Sequence, residues 1–242
     1  MRQPFPSTTT PLLAVENLSV HFSLARGLSR GPSRVLKAVQ DVSLSVQPGE
    51  TLGVVGESGC GKTTLGRAIL RLVPAAAGKI LLEGEDITEM RGKQLRSRRR
   101  KIQMIFQDPY GSLNPRMTVE EIVSEAIKIQ GGERPSRAGR IAGLLESVGL
   151  DAAHARRYPH QFSGGQRQRI GIARALAAQP RVIVCDEPVS ALDVSIQAQI
   201  VSLIQDIQKE AGLSLLFISH DLSVVRRLSH RVMVLYLGRI VE

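Results

Sequence analysis

The 242-residue sequence contains no tryptophan, and aromatic residues make up only 3% of the chain. It has two cysteines, Cys60 and Cys185, which are too few for a disulfide framework and are typical of a reducing compartment. No apolar run approaches the roughly 18–20 residues that a membrane-spanning helix needs. The stretch 1–16 also lacks the long apolar core of a signal peptide. These absences predict a chain that stays in the cytosol.

What the sequence does contain is aliphatic residues and positive charge. Hydrophobic residues make up 43% of the chain, which is enough to bury a sizeable core and excludes disorder as its main state. The 32 basic and 22 acidic residues leave a net charge of +10. Residues 91–101 hold seven of the cations and no anion. A solvated helix face is the usual explanation of such a run, and contact with nucleic acid or anionic lipid is the alternative.

The pattern of residues 18–72 predicts strands followed by one helix. Residues 18–22 and 39–46 alternate apolar and polar side chains, which predicts two strands. Between them, residues 26–34 are rich in glycine, serine and arginine and predict a hairpin loop. Residues 51–56 predict a buried strand, and residues 62–72 a helix.

The remaining residues divide into a helical block and an alternating block. Residues 79–83 and 102–106 predict short strands, and residues 117–178 have a helical pattern. From residue 181 onwards strands and helices alternate. Such alternation is typical of a mostly parallel sheet covered on both faces, so the predicted fold class is α/β.

A glycine-rich loop stands between the predicted strand 51–56 and the helix that follows it. Its sequence fits the pattern G-x-x-x-x-G-K-[ST], the phosphate-binding P-loop. Glycines let backbone N–H groups surround a polyphosphate, and the helix adds its positive end. We expect Lys62 to bridge the β- and γ-phosphates and the Thr63 hydroxyl to bind Mg²⁺. The predicted nucleotide-binding residues of this loop are Gly56, Glu57, Ser58, Gly59, Cys60, Gly61, Lys62, Thr63 and Thr64.

Two carboxylates follow the apolar run 182–185. A buried strand that ends in Asp186 suits a Mg²⁺ site next to a P-loop. Glu187 comes one residue later, where it could activate a water for attack on the γ-phosphate. The alternative for Glu187 is a capping or surface carboxylate.

The residues Ser163, Gly164, Gly165 and Gln166 precede a second predicted helix. A hydroxyl, free backbone N–H groups and a helix N-terminus form an anion site, although Ser-Gly-Gly alone is more often a simple helix cap. In this context, Ser163 to Gln166 resemble the signature sequence of the nucleotide-binding subunits of ATP-binding-cassette (ABC) transporters, with Phe162 where leucine is commoner.

Further motifs carry the same resemblance over nearly the whole chain. Gln107 resembles the glutamine of the Q-loop, Asp193 the D-loop aspartate and His220 the switch histidine of that family. Phe22 matches the position of the aromatic residue that stacks on adenine, with core packing as the alternative. If the resemblance is set aside, Gln107 is expected to be a polar surface residue. His220 is then explained equally well as a capping residue. Segments 106–115, 158–166 and 188–199 are similar to the dipeptide, oligopeptide and nickel importers, in particular to the second of their two ATPase subunits.

The resemblance implies a P-loop NTPase fold with a mostly parallel core sheet, an N-terminal antiparallel β subdomain and an inserted helical subdomain. It implies one cassette over residues 1–242, with residues 12–109 and 179–242 as the core and residues 110–178 as the helical part. It implies ATP and Mg²⁺ as ligands. The implied catalytic residues are Lys62, Gln107, Glu187 and His220, and the implied metal-binding residues are Thr63, Gln107 and Asp186.

The implied function is ATP hydrolysis that powers import of peptides or a related small solute. The implied partners are two transmembrane permease subunits, a second ATPase subunit (a copy or a paralogue) in a head-to-tail dimer, and indirectly an extracytoplasmic solute-binding protein. The implied location is the cytoplasmic side of the bacterial inner membrane. Three alternatives stay open: nickel import, an accessory role in carbon–phosphorus bond cleavage, and a cassette ATPase of a nucleic-acid complex, although the short motif spacings argue against nucleic acid as a partner.

Overall fold

A computed structural model of the chain describes residues 10–23, 35–129 and 137–242. The hairpin loop predicted at 26–34 lies outside the described residues. The strands are β1 (Leu13–Ser23), β2 (Val35–Val46), β3 (Thr51–Val55), β4 (Ala77–Leu82), β5 (Glu85–Asp86), β6 (Ile102–Ile105), β7 (Val182–Asp186), β8 (Ser214–Ile218), β9 (Arg231–Tyr236) and β10 (Arg239–Ile240). The helices are α1 (Lys62–Ile69), α2 (Gly92–Arg99), α3 (Pro109–Ser112), α4 (Val119–Ile129), α5 (Arg137–Ser147), α6 (Gly164–Ala177), α7 (Val194–Ala211) and α8 (Leu222–Leu228).

The central sheet has six strands in the order β10-β9-β3-β8-β7-β6. The strands from β9 to β6 are parallel, and β10 adds an antiparallel edge. Every residue of β3, β7 and β8 is buried, which explains why these strands are continuous apolar runs rather than alternating ones. The parallel arrangement brings the carboxyl ends of these three strands to one edge, where the P-loop and residues 186–187 begin.

A second sheet of four antiparallel strands has the order β2-β1-β4-β5. The register of β1 against β2 shifts at three points along the pair, where the regular ladder is interrupted. Its buried residues, such as Leu13 and Val20, belong to the same apolar cluster as Leu65 of α1. The antiparallel sheet therefore packs beside the P-loop helix.

Four helices, α3 to α6, lie in the chain between β6 and β7, which are paired neighbours in the central sheet. Buried residues of α4, α5 and α6 share one apolar cluster with Ile105, Ile183 and Phe217 of the sheet. The mostly parallel sheet, the antiparallel N-terminal sheet and the helical insertion confirm the predicted fold class. The division into core and helical subdomains stays a prediction.

Local differences from the sequence predictions have local causes. The helix predicted over 62–72 ends at Ile69, because Arg71 has a left-handed φ of 59° and the chain turns there. The basic run does form a helix, α2, and in it Arg98 pairs with Glu85. Arg99 donates hydrogen bonds to the carbonyls of Leu70 and Arg71, so part of the run serves to hold the fold together. Among the described residues, no helix is long and apolar enough to span a bilayer.

Candidate functional site

A cavity of 1070 Å³ opens at the carboxyl edge of the central sheet. It is lined by the P-loop, by residues 36–38 of β2 and by the residues that follow β6, β7 and β8. The predicted site residues that line it are Phe22, Ser58, Gly59, Cys60, Gly61, Lys62, Thr63, Thr64, Gln107, Glu187 and His220. Side chains that are more than a hundred residues apart in sequence are therefore brought to one cavity.

The P-loop takes the conformation that its glycines permit. Gly61 has a φ of 107°, and a Cβ placed on it would lie 2.2 Å from the carbonyl oxygen of Ala38. Only glycine fits this position. The Lys62 ammonium donates hydrogen bonds of 2.8 Å to the carbonyl oxygens of Gly56 and Glu57. These bonds hold the lysine inside the loop, with its charge at the point where a polyphosphate would lie.

Thr63 and Asp186 form the part of the site that could hold a metal ion. The Thr63 hydroxyl, in the first turn of α1, donates a hydrogen bond of 2.9 Å to Oδ1 of Asp186 at the end of β7. Burial raises the pKa of Asp186, and the bond from Thr63 opposes that shift. A buried carboxylate beside a hydroxyl is a donor set that Mg²⁺ prefers. The preceding residue, Cys185, is unsuited to act as a nucleophile, because burial raises the pKa of its thiol to about 12.

Glu187 is the point at which three other predicted residues meet. Its Oε2 accepts a hydrogen bond of 3.1 Å from Nε2 of Gln107 and lies 3.1 Å from Nδ1 of His220. Its Oε1 lies 3.9 Å from the Lys62 ammonium. Glu187 has a left-handed φ of 45°, and its N–H donates to the carbonyl of Ile218 on β8. A non-glycine residue in this conformation is often part of a functional site.

The lining of the cavity also includes exposed apolar side chains, which are suited to contact with a nucleobase. Phe22, which is 38% exposed, lines the cavity together with Leu36 and Leu237, both of which are also exposed. Sequence reasoning identified Phe22 but missed Leu36 and Leu237. Leu36 lies at the start of β2 and Leu237 in the turn between β9 and β10. No motif singles out either residue, so only the tertiary structure could find them.

The second predicted anion site lies elsewhere on the described surface. Ser163 caps α6, its hydroxyl accepting from the N–H of Gln166 at 3.4 Å while Oε1 of Gln166 accepts from the N–H of Ser163. The hydroxyl proton stays available for an anion. Asp193 precedes α7 and is exposed. None of the residues predicted for this second site lines the cavity, although the structure describes them all: Ser163, Gly164, Gly165, Gln166 and Asp193. One chain therefore does not bring the two anion sites together.

Comparisons with known proteins agree with this geometry. The family described as ABC transporter matches residues 39–190. The chain is 54% identical over 237 residues to the oligopeptide transport ATP-binding protein OppF of Bacillus subtilis, covering 97% of this chain and 75% of that protein. It is 53% identical over 238 residues to the glutathione import ATP-binding protein GsiA of Pectobacterium atrosepticum. That match covers 98% of this chain but only 38% of the longer relative.

Solved structures give the same fold. The ATP-binding cassette MJ0796, in a dimeric structure bound to ADP and Pi, superimposes with a TM-score of 0.84 at 28% identity, covering 95% of this chain and 97% of that one. The protein cbiO1 of Clostridium perfringens, part of the transporter complex cbiONQ, gives a TM-score of 0.80 at 26% identity and covers 96% and 87% of the two chains.

Proposed function

The chain belongs to the ABC transporter family of ATPases, and on that premise we propose that it hydrolyses ATP to drive the import of peptides through separate permease subunits. The observation that carries the proposal is the arrangement around Glu187. One carboxylate at the end of β7 is contacted by Gln107, His220 and Lys62 at the wall of a cavity large enough for a nucleotide.

Binding of the triphosphate is assigned to the P-loop. The Lys62 ammonium leaves the carbonyls of Gly56 and Glu57 and pairs with the phosphate oxygens, which offer a stronger, charged acceptor. Thr63 and Asp186 would hold Mg²⁺, which when bound neutralises phosphate charge. The remaining P-loop residues contribute backbone N–H groups, and Phe22 stacks on the base.

Hydrolysis is assigned to Glu187 and its neighbours. Its carboxylate accepts a proton from the attacking water, or orients that water in line with the bond that breaks. Gln107 and His220 hold this carboxylate in place and contact the water or the γ-phosphate. The positive charge of Lys62 offsets the charge that develops on the phosphate oxygens. Positioning and charge neutralisation therefore supply most of the catalysis.

A second ATPase subunit would complete the site. Ser163, Gly164, Gly165 and Gln166 form an anion site outside the cavity of their own chain. In a head-to-tail dimer they bind the γ-phosphate held by the partner's P-loop, and Asp193 lies at the same junction. ATP then joins the two subunits, and its hydrolysis removes contacts between them, which shifts the population towards the open state. A copy of this chain or a paralogue could fill the role.

The solute and the membrane partners follow from the relatives. The similar proteins reported above are named for oligopeptide transport and glutathione import, so we propose a peptide solute rather than nickel. Two permease subunits and an extracytoplasmic binding protein would select that solute, and the chain would work peripherally on the cytoplasmic side of the inner membrane. Docking would use the helical subdomain, residues 110–178, together with the segment around Gln107.

The Glu187→Gln variant tests the catalytic assignment. The amide keeps the shape and the contact with Gln107 but cannot accept a proton, so we expect ATP binding to stay within about twofold and hydrolysis to fall at least about 100-fold. Equilibrium titration with a fluorescent ATP analogue and phosphate release measure the two quantities. Glu210→Gln, on the exposed end of α7, is the matched control. Hydrolysis at the parent rate in Glu187→Gln would require another base.

A further inference from the structure

Two arginines of α6 contact the segment that follows β6, residues 106–112. The guanidinium carbon of Arg167 lies 3.6 Å from the centroid of the Tyr110 ring, which is a cation–π contact. Arg174 donates a hydrogen bond to the carbonyl oxygen of Ser112. The two arginines are about two helical turns apart, so they project from the same face of α6. Segment 106–112 therefore rests on one face of this helix.

Arg167 also holds the turn that leads into the signature sequence. Its Nε donates to the carbonyl of Pro159 at 2.7 Å, and its Nη2 donates to that of His160 at 3.4 Å. These residues form a short 3-10 turn, Pro159–Gln161, just before Ser163. The guanidinium is planar and its donors are fixed in one fork, so a shift of the Tyr110 ring on its face is transmitted to the turn.

Stability alone does not explain an arginine at this position. Arg167 is buried, with 6% of its surface exposed. Its Nη1 is buried as well and finds no hydrogen-bond partner among the described residues. An unpartnered buried donor destabilises a protein, so the contacts of this guanidinium with the turn and with the Tyr110 ring come with a cost in stability. One donor of the guanidinium is thus unpaired while the others contact the turn, an arrangement that suits a positioning role.

We propose that Arg167 is a positioning residue that couples segment 106–112 to the turn Pro159–Gln161 and so to Ser163. One end of the segment carries Gln107, which contacts the catalytic carboxylate of its own site. Tyr110, three residues further along the segment, lies against Arg167. Occupancy of one nucleotide site thereby adjusts the signature turn that binds the partner's ATP. This inference rests on the proposed function, because it assumes a head-to-tail dimer.

Tyr110 is the position at which to test the coupling. The residue is 67% exposed, so its replacement should not impair folding. Tyr110→Leu removes the aromatic face above Arg167, and Tyr110→Phe keeps it. Tyr236→Leu changes an exposed tyrosine on β9 and is the control for loss of a surface ring.

The first measurement is amide hydrogen exchange in the nucleotide-free chain. The amides of Gln161 and Phe162 are bonded to the carbonyls of Tyr158 and Pro159 at 3.0 and 3.2 Å. We expect Tyr110→Leu to speed their exchange about threefold or more, with parent rates in Tyr110→Phe and Tyr236→Leu. Unchanged exchange in Tyr110→Leu would overturn the proposal. This readout does not depend on ATP hydrolysis.

The second measurement is steady-state hydrolysis by the full chain without permeases. Loss of the ring contact should lower kcat about threefold to tenfold in Tyr110→Leu and leave KM for ATP within about twofold. Tyr110→Phe should restore kcat, and Arg167→Lys, which keeps the charge but loses the planar fork, should lower it. A rise in KM with unchanged kcat would mean that Tyr110 only helps to bind nucleotide, and the proposal would fail.

Mixed dimers give the sharpest outcome. One copy carries Glu187→Gln, so the site that uses the P-loop of this copy does not hydrolyse ATP; this copy is called the silent copy. The same copy contributes only its Ser163 region to the active site of the partner copy. Adding Tyr110→Leu to the silent copy should then lower the remaining hydrolysis by the same threefold to tenfold factor. Unchanged hydrolysis would overturn the coupling. If the parent chain shows no hydrolysis at all, the proposed function fails, and hydrogen exchange still decides whether the contact exists.

Discussion

The Lys62 side chain is held in position by protein groups that a ligand could replace. Its ammonium is buried, yet it is satisfied by two loop carbonyls and lies 3.9 Å from Oε1 of Glu187. A buried cation needs such partners, because desolvation without them would be costly. The partners are neutral carbonyls or a carboxylate at some distance, so a phosphate can replace them. The arrangement keeps the lysine ordered without closing the site.

We expect Lys62→Ala to weaken ATP binding about 10-fold to 100-fold, because a charge-assisted hydrogen bond contributes about 1.5–3 kcal/mol. Equilibrium titration with a fluorescent ATP analogue measures the dissociation constant. Lys209→Ala removes an exposed lysine from α7 and should bind like the parent. An unchanged affinity in Lys62→Ala would show that the P-loop is not the nucleotide site.

At the scale of elements, strand ends and helix starts build the site jointly. α8 begins at Leu222, and its N-cap, Asp221, directly follows His220. Oδ1 of Asp221 accepts from the Ser223 N–H at 2.8 Å and from the Ser223 hydroxyl at 2.6 Å. This cap fixes the direction in which α8 leaves β8. The same turn presents His220 to Glu187, so the cap supports both the helix and the site.

Asp221→Ala should lower the free energy of unfolding by about 1 kcal/mol, the usual cost of losing an N-cap. It should also lower kcat, because His220 loses its fixed position. Urea unfolding and ATP hydrolysis measure the two effects. Asp206→Ala, an exposed aspartate within α7, should leave both unchanged, and equal stability of the two variants would contradict the capping role.

The same cap predicts a pH dependence. The hydrogen bond from the Ser223 side chain is the main cause that lowers the pKa of Asp221. A carboxyl whose pKa is lower in the folded state stabilises the fold fully above its unfolded value. That contribution is lost as the pH falls through the lower folded value. The stability difference between the parent and Asp221→Ala should therefore shrink in acid, below the ordinary pKa of 3.8, and urea unfolding at several pH values checks this.

At the scale of the whole molecule, the two anion sites of one chain are separate. The cavity contains Lys62 and Glu187, whereas Ser163 lies outside it. Each copy carries a net charge of +10, so two copies repel one another until an anion lies between them. In the proposed dimer, nucleotide would therefore contribute to assembly both through contacts and through neutralisation of charge.

We expect the Glu187→Gln variant to be a monomer of 26.3 kDa without nucleotide and a dimer with ATP. Sedimentation velocity measures the two species. Adding Ser163→Ala should weaken the dimer about tenfold or more, through one lost hydrogen bond to a charged phosphate. Ser147→Ala, an exposed serine at the end of α5, is the control. A dimer that forms equally well with ADP, or that is not weakened by Ser163→Ala, would contradict the nucleotide-bridged interface.

The sequence alone predicted the parts of the site that are local. The P-loop, Asp186 and Glu187 are recognisable because each depends on a strand end and a few adjacent residues. The capping residues Ser163 and Gln166 are recognisable for the same reason. The apolar runs of β3, β7 and β8 predicted a buried parallel sheet, since strands covered on both faces carry no polar alternation.

The tertiary structure decided what depends on contacts between distant residues. Gln107 and His220 looked unremarkable as single residues, and only the order β3-β8-β7-β6 brings them to Glu187. No local pattern identifies Leu36 and Leu237 in the lining of the cavity, or Arg167 against the Tyr110 ring. Their positions depend on packing between residues that are far apart in the chain, so no run of neighbouring residues predicts them. A phosphate-binding loop, in contrast, is recognisable from eight consecutive residues.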